Sequence, residues 1–240
     1  LSENSDTVAG VIVEPLVQGA AGMMMYPPIY LKKLQSICES LEIHMIFDEI
    51  AVAFGRTGSL FVCGEHDLKP NFLCLSKGIT SGYLPLSATL TTDEIYSAFY
   101  GEHQDLKMFV HSHSYSANPL ACAVANETLS MLTENNFLET LKPKIATIQE
   151  CGKQFEGIEG EFRQTGMIAA LELVGKNKER FAFEKRIGYQ VYLEGLKRGV
   201  FMRPLGDVVY FIPPLIITAE EIEVMLNTAR DCIDAVLKIN

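Results

Sequence analysis

The chain has no tryptophan and no surplus of positive charge: its 240 residues carry 20 Lys and Arg against 30 Asp and Glu, a formal net charge of −10. A nucleic-acid surface normally needs clustered basic side chains, so this balance argues against binding DNA or RNA. No apolar stretch reaches transmembrane length, and Leu1-Ser2-Glu3-Asn4-Ser5-Asp6 lacks the basic region followed by an apolar one that marks a secretory leader. The cysteines (Cys38, Cys63, Cys74, Cys122, Cys151 and Cys232) lack the close paired spacing of a zinc or redox site. Several lie in apolar runs, where a reduced thiol packs as a small hydrophobe, and this predicts a cytoplasmic protein. His111 and His113 would share one face of an extended segment, yet no fitting third ligand stands nearby, so no metal site is expected. Repeats and low-complexity segments are absent as well.

What is present is a chain with 48% hydrophobic residues, enough for one large or two modest packed domains. A strand is predicted at Val8 to Val13, then a loop from Glu14 to Tyr26 and a helix from Pro28, whose fixed φ suits a first turn. Leu31, Leu34, Cys38 and Leu41 recur at helical spacing. Apolar runs predict strands at Ile43 to Phe47, Phe72 to Leu75 and Leu86 to Leu90. Thr91 with Glu94 reads as a capping box for the next helix, and Asn118-Pro119 opens a long one through Leu132. From about residue 135 the pattern shifts. It predicts a helix to Gln154, a strand near Met167 to Leu173, a helix from Phe183 to Lys197 stopped by Gly199, and paired extended runs at Val200 to Arg203 and Val208 to Ile212. A last helix opens on a second capping box, Thr218 with Glu221, and runs to Leu237. The reading is an α/β domain, residues 1–134, followed by a smaller α+β domain, residues 135–240.

The most informative feature is Lys77, just past the apolar run Phe72 to Leu75, together with Asp48, which closes the run Ile43 to Phe47. Each is followed by polar, glycine-containing sequence, which places both at carboxyl ends of strands, where open α/β sheets bind ligands. A lysine at the end of a buried strand is expected to be desolvated, which lowers its pKa and exposes a nucleophilic amine suited to Schiff-base chemistry. A carboxylate on a neighbouring strand could hold a pyridinium nitrogen protonated. Glu49 should point away from Asp48 by strand alternation, which favours a structural pair or cap. Gly55 and Gly58 permit a tight turn, and a lone glycine pair is weak support for phosphate binding.

Six segments carry a family resemblance: VIVEPLVQGAAGMMMYPP (11–28), IFDEIAVAFGRTG (46–58), LCLSKGIT (73–80), LSATLTT (86–92), HSHSYSANPLACAVA (111–125) and MRPLGDVVYFIPPLIIT (202–218). In this order they resemble the class III, fold-type I aminotransferases. The resemblance implies the C-terminal part of that family's large domain, a mostly parallel sheet with helices, followed by a smaller α+β domain. It implies pyridoxal phosphate as cofactor and a homodimer with shared active sites. ATLTT and VVYFIPP resemble most the branch of biotin synthesis in which S-adenosylmethionine gives an amino group to 8-amino-7-oxononanoate. Other class III branches, acting on omega-amino acids or on amines with pyruvate, share RPLG and are the alternative.

By this resemblance Lys77 carries the cofactor and moves protons, and Asp48 partners the pyridinium nitrogen. Ser114 keeps a hydroxyl that reaches the cofactor phosphate of the neighbouring subunit, with a turn serine as the plain alternative. Arg203 pairs with the carboxylate end of the substrate, for which a planar guanidinium fork is suited. Glu14 either helps shape the site or forms a loop salt bridge. Val52-Ala53 replace the family's Thr-Gly before FGRTG, which alters the expected loop. The sequence enters the fold at a core strand, so the chain is expected to be truncated at its N-terminus, without most of the phosphate cup. Taken alone it is then expected to bind the cofactor weakly and to act as a noncatalytic module.

Overall fold

A computed structural model describes residues 1–134 and 136–239. The strands are β1 (Gly10–Val13), β2 (Val17–Gln18), β3 (Met24–Met25), β4 (His44–Asp48), β5 (Phe72–Leu75), β6 (Ala88–Thr91), β7 (Gly160–Thr165), β8 (Ile168–Leu173), β9 (Arg203–Leu205) and β10 (Val208–Phe211). The helices are α1 (Pro28–Ser40), α2 (Val62–Glu65), α3 (Asp93–Ala98), α4 (Pro119–Thr133), α5 (Leu141–Gly152), α6 (Ile187–Lys197) and α7 (Ala219–Ile239). They form two compact units. The first comprises Leu1–Pro15, Pro27–Phe54 and Leu60–Asn135; the second comprises Leu16–Tyr26, Gly55–Ser59 and Asn136–Asn240. Asn135, where the second domain was expected to begin, lies outside the described residues. Two short excursions, 16–26 and 55–59, group with the second unit, a long-range feature that local sequence patterns do not carry.

The first unit is built on a four-stranded sheet of order β1-β4-β5-β6. β1 and β5 both run parallel to β4, and β6 closes the other edge antiparallel. Met45 and Phe47 are buried on one face of β4, as the period-two pattern of a strand requires. α1 opens with Pro28 in its first turn and buries Leu31, Leu34 and Cys38, the stripe read from spacing. α4 opens on Asn118, whose side-chain oxygen accepts from the Leu120 N–H at 2.9 Å. The cap of α3 differs by one residue from expectation. Thr92 accepts from the Ile95 N–H, because Thr91 still pairs with Phe72 in β6 and gives its hydroxyl to the Asn71 carbonyl.

The second unit has an antiparallel sheet of order β7-β8-β10-β9. Its core gathers Leu171 and Leu173 of β8, Val209 and Phe211 of β10, Ile148 of α5, Val191 of α6 and Ile222, Leu226 and Ile233 of α7. α7 opens on the expected capping box: the Thr218 N–H donates to Glu221 at 2.8 Å, and the Glu221 N–H to the Thr218 hydroxyl at 3.2 Å. α6 begins at Ile187 rather than Phe183, after a separate 3-10 turn. β7 and the β2–β3 pair were not expected from the sequence. Arg163 of β7 binds Glu172 at 2.9 Å and donates to the carbonyls of Gly22 and Met23, which fixes the 16–26 excursion within this unit.

Candidate active site

Asp48 is the last residue of β4 and pairs in register with Cys74 of β5, the strand that delivers Lys77. Because β4 and β5 are parallel, the carboxylate and the lysine leave the sheet from the same end of adjacent strands. One Asp48 oxygen accepts from the Ile50 N–H at 3.1 Å, and its second oxygen has no hydrogen-bond partner among the described residues. Asp48 is half-buried, on the face opposite Met45, Phe47 and Glu49.

Beyond Leu75 the strand stops. Ser76 is extended, with its hydroxyl donating to the Leu86 carbonyl at 2.8 Å, and Lys77 then turns into the left-handed region at φ 45°. For a residue with a β-carbon this conformation costs about 1–2 kcal/mol, and such strain gathers at functional sites. The 3-10 turn Lys77–Thr80 that follows is firmly held: Ile79 and Thr80 are buried, and Ser81 bonds Thr128 of α4 at 3.3 Å. Lys77 itself is exposed, and its amine makes no hydrogen bond or ion pair with another described residue. The expected desolvation by the strand is therefore corrected. Lys77 stands past the strand end in a left-handed turn, and its side chain is exposed.

Glu49 is fully buried and caps α2, as its alternation away from Asp48 suggested. Its carboxylate accepts from the Val62 N–H at 2.8 Å and the Cys63 N–H at 2.9 Å. Burial pushes its pKa above the usual carboxylate range, and these backbone donors oppose that shift. The Cys63 thiol is pushed up to about 11, first by burial and then by the Glu49 charge beside it.

Gly55 and Gly58 have φ of +91° and +98°, and the Gly58 N–H donates to the Gly55 carbonyl at 3.0 Å. Arg56 between them is turned to the Pro213 carbonyl at 2.5 Å, and burial pushes its guanidinium pKa down. The segment is a tight turn, with its basic group committed to backbone. Gly166 backs it so closely that an added β-carbon would lie 2.4 Å from the Thr57 carbonyl carbon.

Ser114 is exposed, in a turn where the Ser116 N–H donates to the His113 carbonyl at 2.9 Å and His113 Nδ1 accepts from the Tyr115 N–H. Arg203 lies in the second unit on the edge strand β9, opposite Tyr210, exposed and without an ion pair to a described residue. No group of three or more potential metal ligands is assembled among the described residues. Nor is any helix among them long and apolar enough to cross a membrane. Phe54 and Gly78, which meet beneath the lysine turn, carry no functional signal in the sequence pattern beyond residue type. The glycine directly after Lys77 was the available signal.

A family description, aminotransferase class-III, matches residues 1–233. The chain belongs to this family. An adenosylmethionine-8-amino-7-oxononanoate aminotransferase of Geobacter sulfurreducens is 46% identical over 240 residues, covering 98% of this chain and 53% of the relative. Its namesake in Nitratidesulfovibrio vulgaris is 43% identical over 233 residues, covering 95% of this chain and 43% of the relative. The crystal structure of the Methanocaldococcus jannaschii protein of the same name matches the fold with a TM-score of 0.93 at 37% identity, over 98% of this chain and 55% of that one. The mixed α/β architecture expected from the sequence is therefore that of a class-III aminotransferase. The chain spans about half the length of the relatives it matches.

Proposed function

We propose that this chain carries the lysine and the ring-nitrogen carboxylate of an aminotransferase that moves an amino group from S-adenosylmethionine to 8-amino-7-oxononanoate, giving 7,8-diaminononanoate for biotin synthesis. One observation carries the reading. Lys77, with a free amine on a strained turn, and Asp48, with an open carboxylate oxygen, stand at the same end of neighbouring parallel strands in a chain whose relatives bear that name.

Pyridoxal phosphate fits this donor set, an amine for its carbonyl carbon and a carboxylate for its ring nitrogen. When bound, it supplies a ring that withdraws electrons from the substrate's alpha carbon. Lys77 would hold the cofactor through its amine and, once freed, would act as general base for the proton on the substrate's alpha carbon and as general acid at the cofactor's carbonyl carbon, across the transferred nitrogen. Asp48 keeps a proton on the ring nitrogen, a role that needs a charged partner. By resemblance, Ser114 donates its hydroxyl to the phosphate held by a partner subunit, and Arg203 presents its fork to the substrate carboxylate.

Residues 1–134 are assigned to the large cofactor domain and residues 135–240 to the smaller one. The assembly is a cytoplasmic homodimer. Leu106, Met108, Phe109, Val110 and Tyr115, each 55–85% exposed, supply apolar surface of the kind that a second copy covers. Donor and acceptor screening tests the substrate. Amino transfer to 8-amino-7-oxononanoate supports the reading, and turnover only of simple amines with pyruvate replaces it with an amine transaminase.

A further inference from the structure

Among the described residues Glu49 is the one carboxylate fully withdrawn from solvent, and the proposed chemistry does not use it. Its main chain and its side chain both fix other segments. The Glu49 N–H donates to the Cys74 carbonyl at 3.1 Å, extending the β4–β5 pairing one step past Asp48, and its carbonyl receives the N–H groups of Val52 and Ala53. Its carboxylate reaches forward to the N–H groups of Val62 and Cys63 and so closes the intervening loop.

A local cap for α2 would not require this arrangement. α2 spans only Val62–Glu65, and a Ser, Thr or Asn at its N-cap could satisfy the same donors without burying a charge. The N-cap is instead Phe61, and its ring meets the Phe54 ring edge-on at 5.6 Å between centroids. Phe54 is buried, held at φ +59°, and its N–H donates to the Leu60 carbonyl at 2.7 Å. On its other side it touches the lysine turn: a β-carbon at position 78 would lie 2.9 Å from the Phe54 β-carbon and from its ring. Gly78 therefore rests directly on Phe54, one residue from Lys77.

We propose that Glu49 is a positioning residue for the lysine turn: its carboxylate clasps Val62 and Cys63, and through Phe61 and Phe54 it fixes the seat under Gly78 and so the placement of Lys77. The functional meaning rests on the reading of Lys77 given above, whereas the clasp is a mechanical claim that can be read without cofactor.

Residue-resolved native-state amide hydrogen exchange of the cofactor-free protein tests it, comparing Glu49→Ala, Glu49→Gln and Phe54→Leu with the parent. Glu49→Ala is expected to speed exchange about tenfold or more at Val62 and Cys63 and, in parallel, at Ile79 and Ser81, whose N–H groups bond within the lysine turn. Glu49→Gln, which keeps one acceptor oxygen, is expected to rescue part of the loss at both places together. Phe54→Leu should loosen Ile79 and Ser81 while Val62 and Cys63 stay protected. If the Glu49 variants loosen only Val62 and Cys63, or if Phe54→Leu leaves Ile79 and Ser81 unchanged, the clasp is a local cap and the proposal falls. If Glu49→Ala does not fold, Glu49→Gln and Phe54→Leu decide by the same criteria. Failure of the Lys77 reading shows separately, as absence of cofactor fixation at that lysine, and leaves the exchange result standing.

Discussion

Asp48 stands opposite Cys74 in the parallel pairing of β4 with β5, so its carboxylate and the lysine turn share one end of the sheet. In open α/β sheets that end is where ligands sit, because the chain leaves each strand there and frees its polar groups from the ladder. The chemistry proposed for the pair uses this placement, and each residue is separately testable.

Replacing Asp48 by Asn keeps its size but removes the charge proposed to hold a proton on the ring nitrogen. In the full-length protein Asp48→Asn is expected to retain cofactor while both half-reactions slow by about a hundredfold or more, the order of a lost ionic partner in the transition state. Single-turnover absorbance measures this. Unchanged half-reaction rates would remove Asp48 from the mechanism.

Arg203, proposed to receive the substrate carboxylate, is exposed on an edge strand without an ion pair to a described residue. Arg203→Lys keeps the charge and loses the planar fork. KM for the carboxylate-bearing substrate should rise about tenfold with a smaller change in kcat. Steady-state kinetics that show KM unchanged would place the substrate carboxylate elsewhere.

Glu49 has a folded-state pKa raised by burial. Protonation therefore favours the folded state, so its contribution is fully present below the unfolded carboxylate pKa and is lost as pH rises through the raised folded value. The stability of the parent relative to Glu49→Gln should thus increase as pH is lowered from neutral towards the ordinary carboxylate range. Urea melts of both proteins across that interval provide the measurement. A difference that stays flat or shrinks on acidification contradicts the shift.

The Thr218 and Glu221 box contains no residue assigned to the proposed chemistry. Thr218→Ala should cost about 1 kcal/mol of stability in the second unit, seen as a lower melting midpoint, while the kinetic constants are unchanged. An unchanged midpoint would mean that water replaces the hydroxyl at no cost.

Much of this was legible in the sequence where local pattern and tertiary demand agree. The run Phe72–Leu75 is a strand as its apolar content and polar boundaries suggested, and Leu31, Leu34 and Cys38 form the buried stripe of α1. The cap of α3 shifted to Thr92 because two adjacent threonines look alike until Thr91 is seen in the ladder with Phe72. β7 was invisible because Glu161, Arg163 and Gln164 give it little apolar alternation, and its place comes from pairing with β8. At the site, residue type and strand-end position pointed to Lys77 and Asp48. The exposure of Lys77 was not expected because its apolar neighbours suggest burial, whereas the left-handed turn at Lys77 and the close approach of Gly78 to Phe54 bring together residues distant in sequence.

Everything proposed for the site depends on Lys77 being the cofactor-bearing lysine. Treating the pyridoxal-phosphate-loaded full-length protein with borohydride, then digesting it and mapping the products by mass spectrometry, tests this most directly. One reduced pyridoxyl group is expected, on Lys77, and in Lys77→Ala its loss together with a fall in turnover of several orders of magnitude. A label carried by another lysine with Lys77 unmodified, or near-parental turnover in Lys77→Ala, would contradict it.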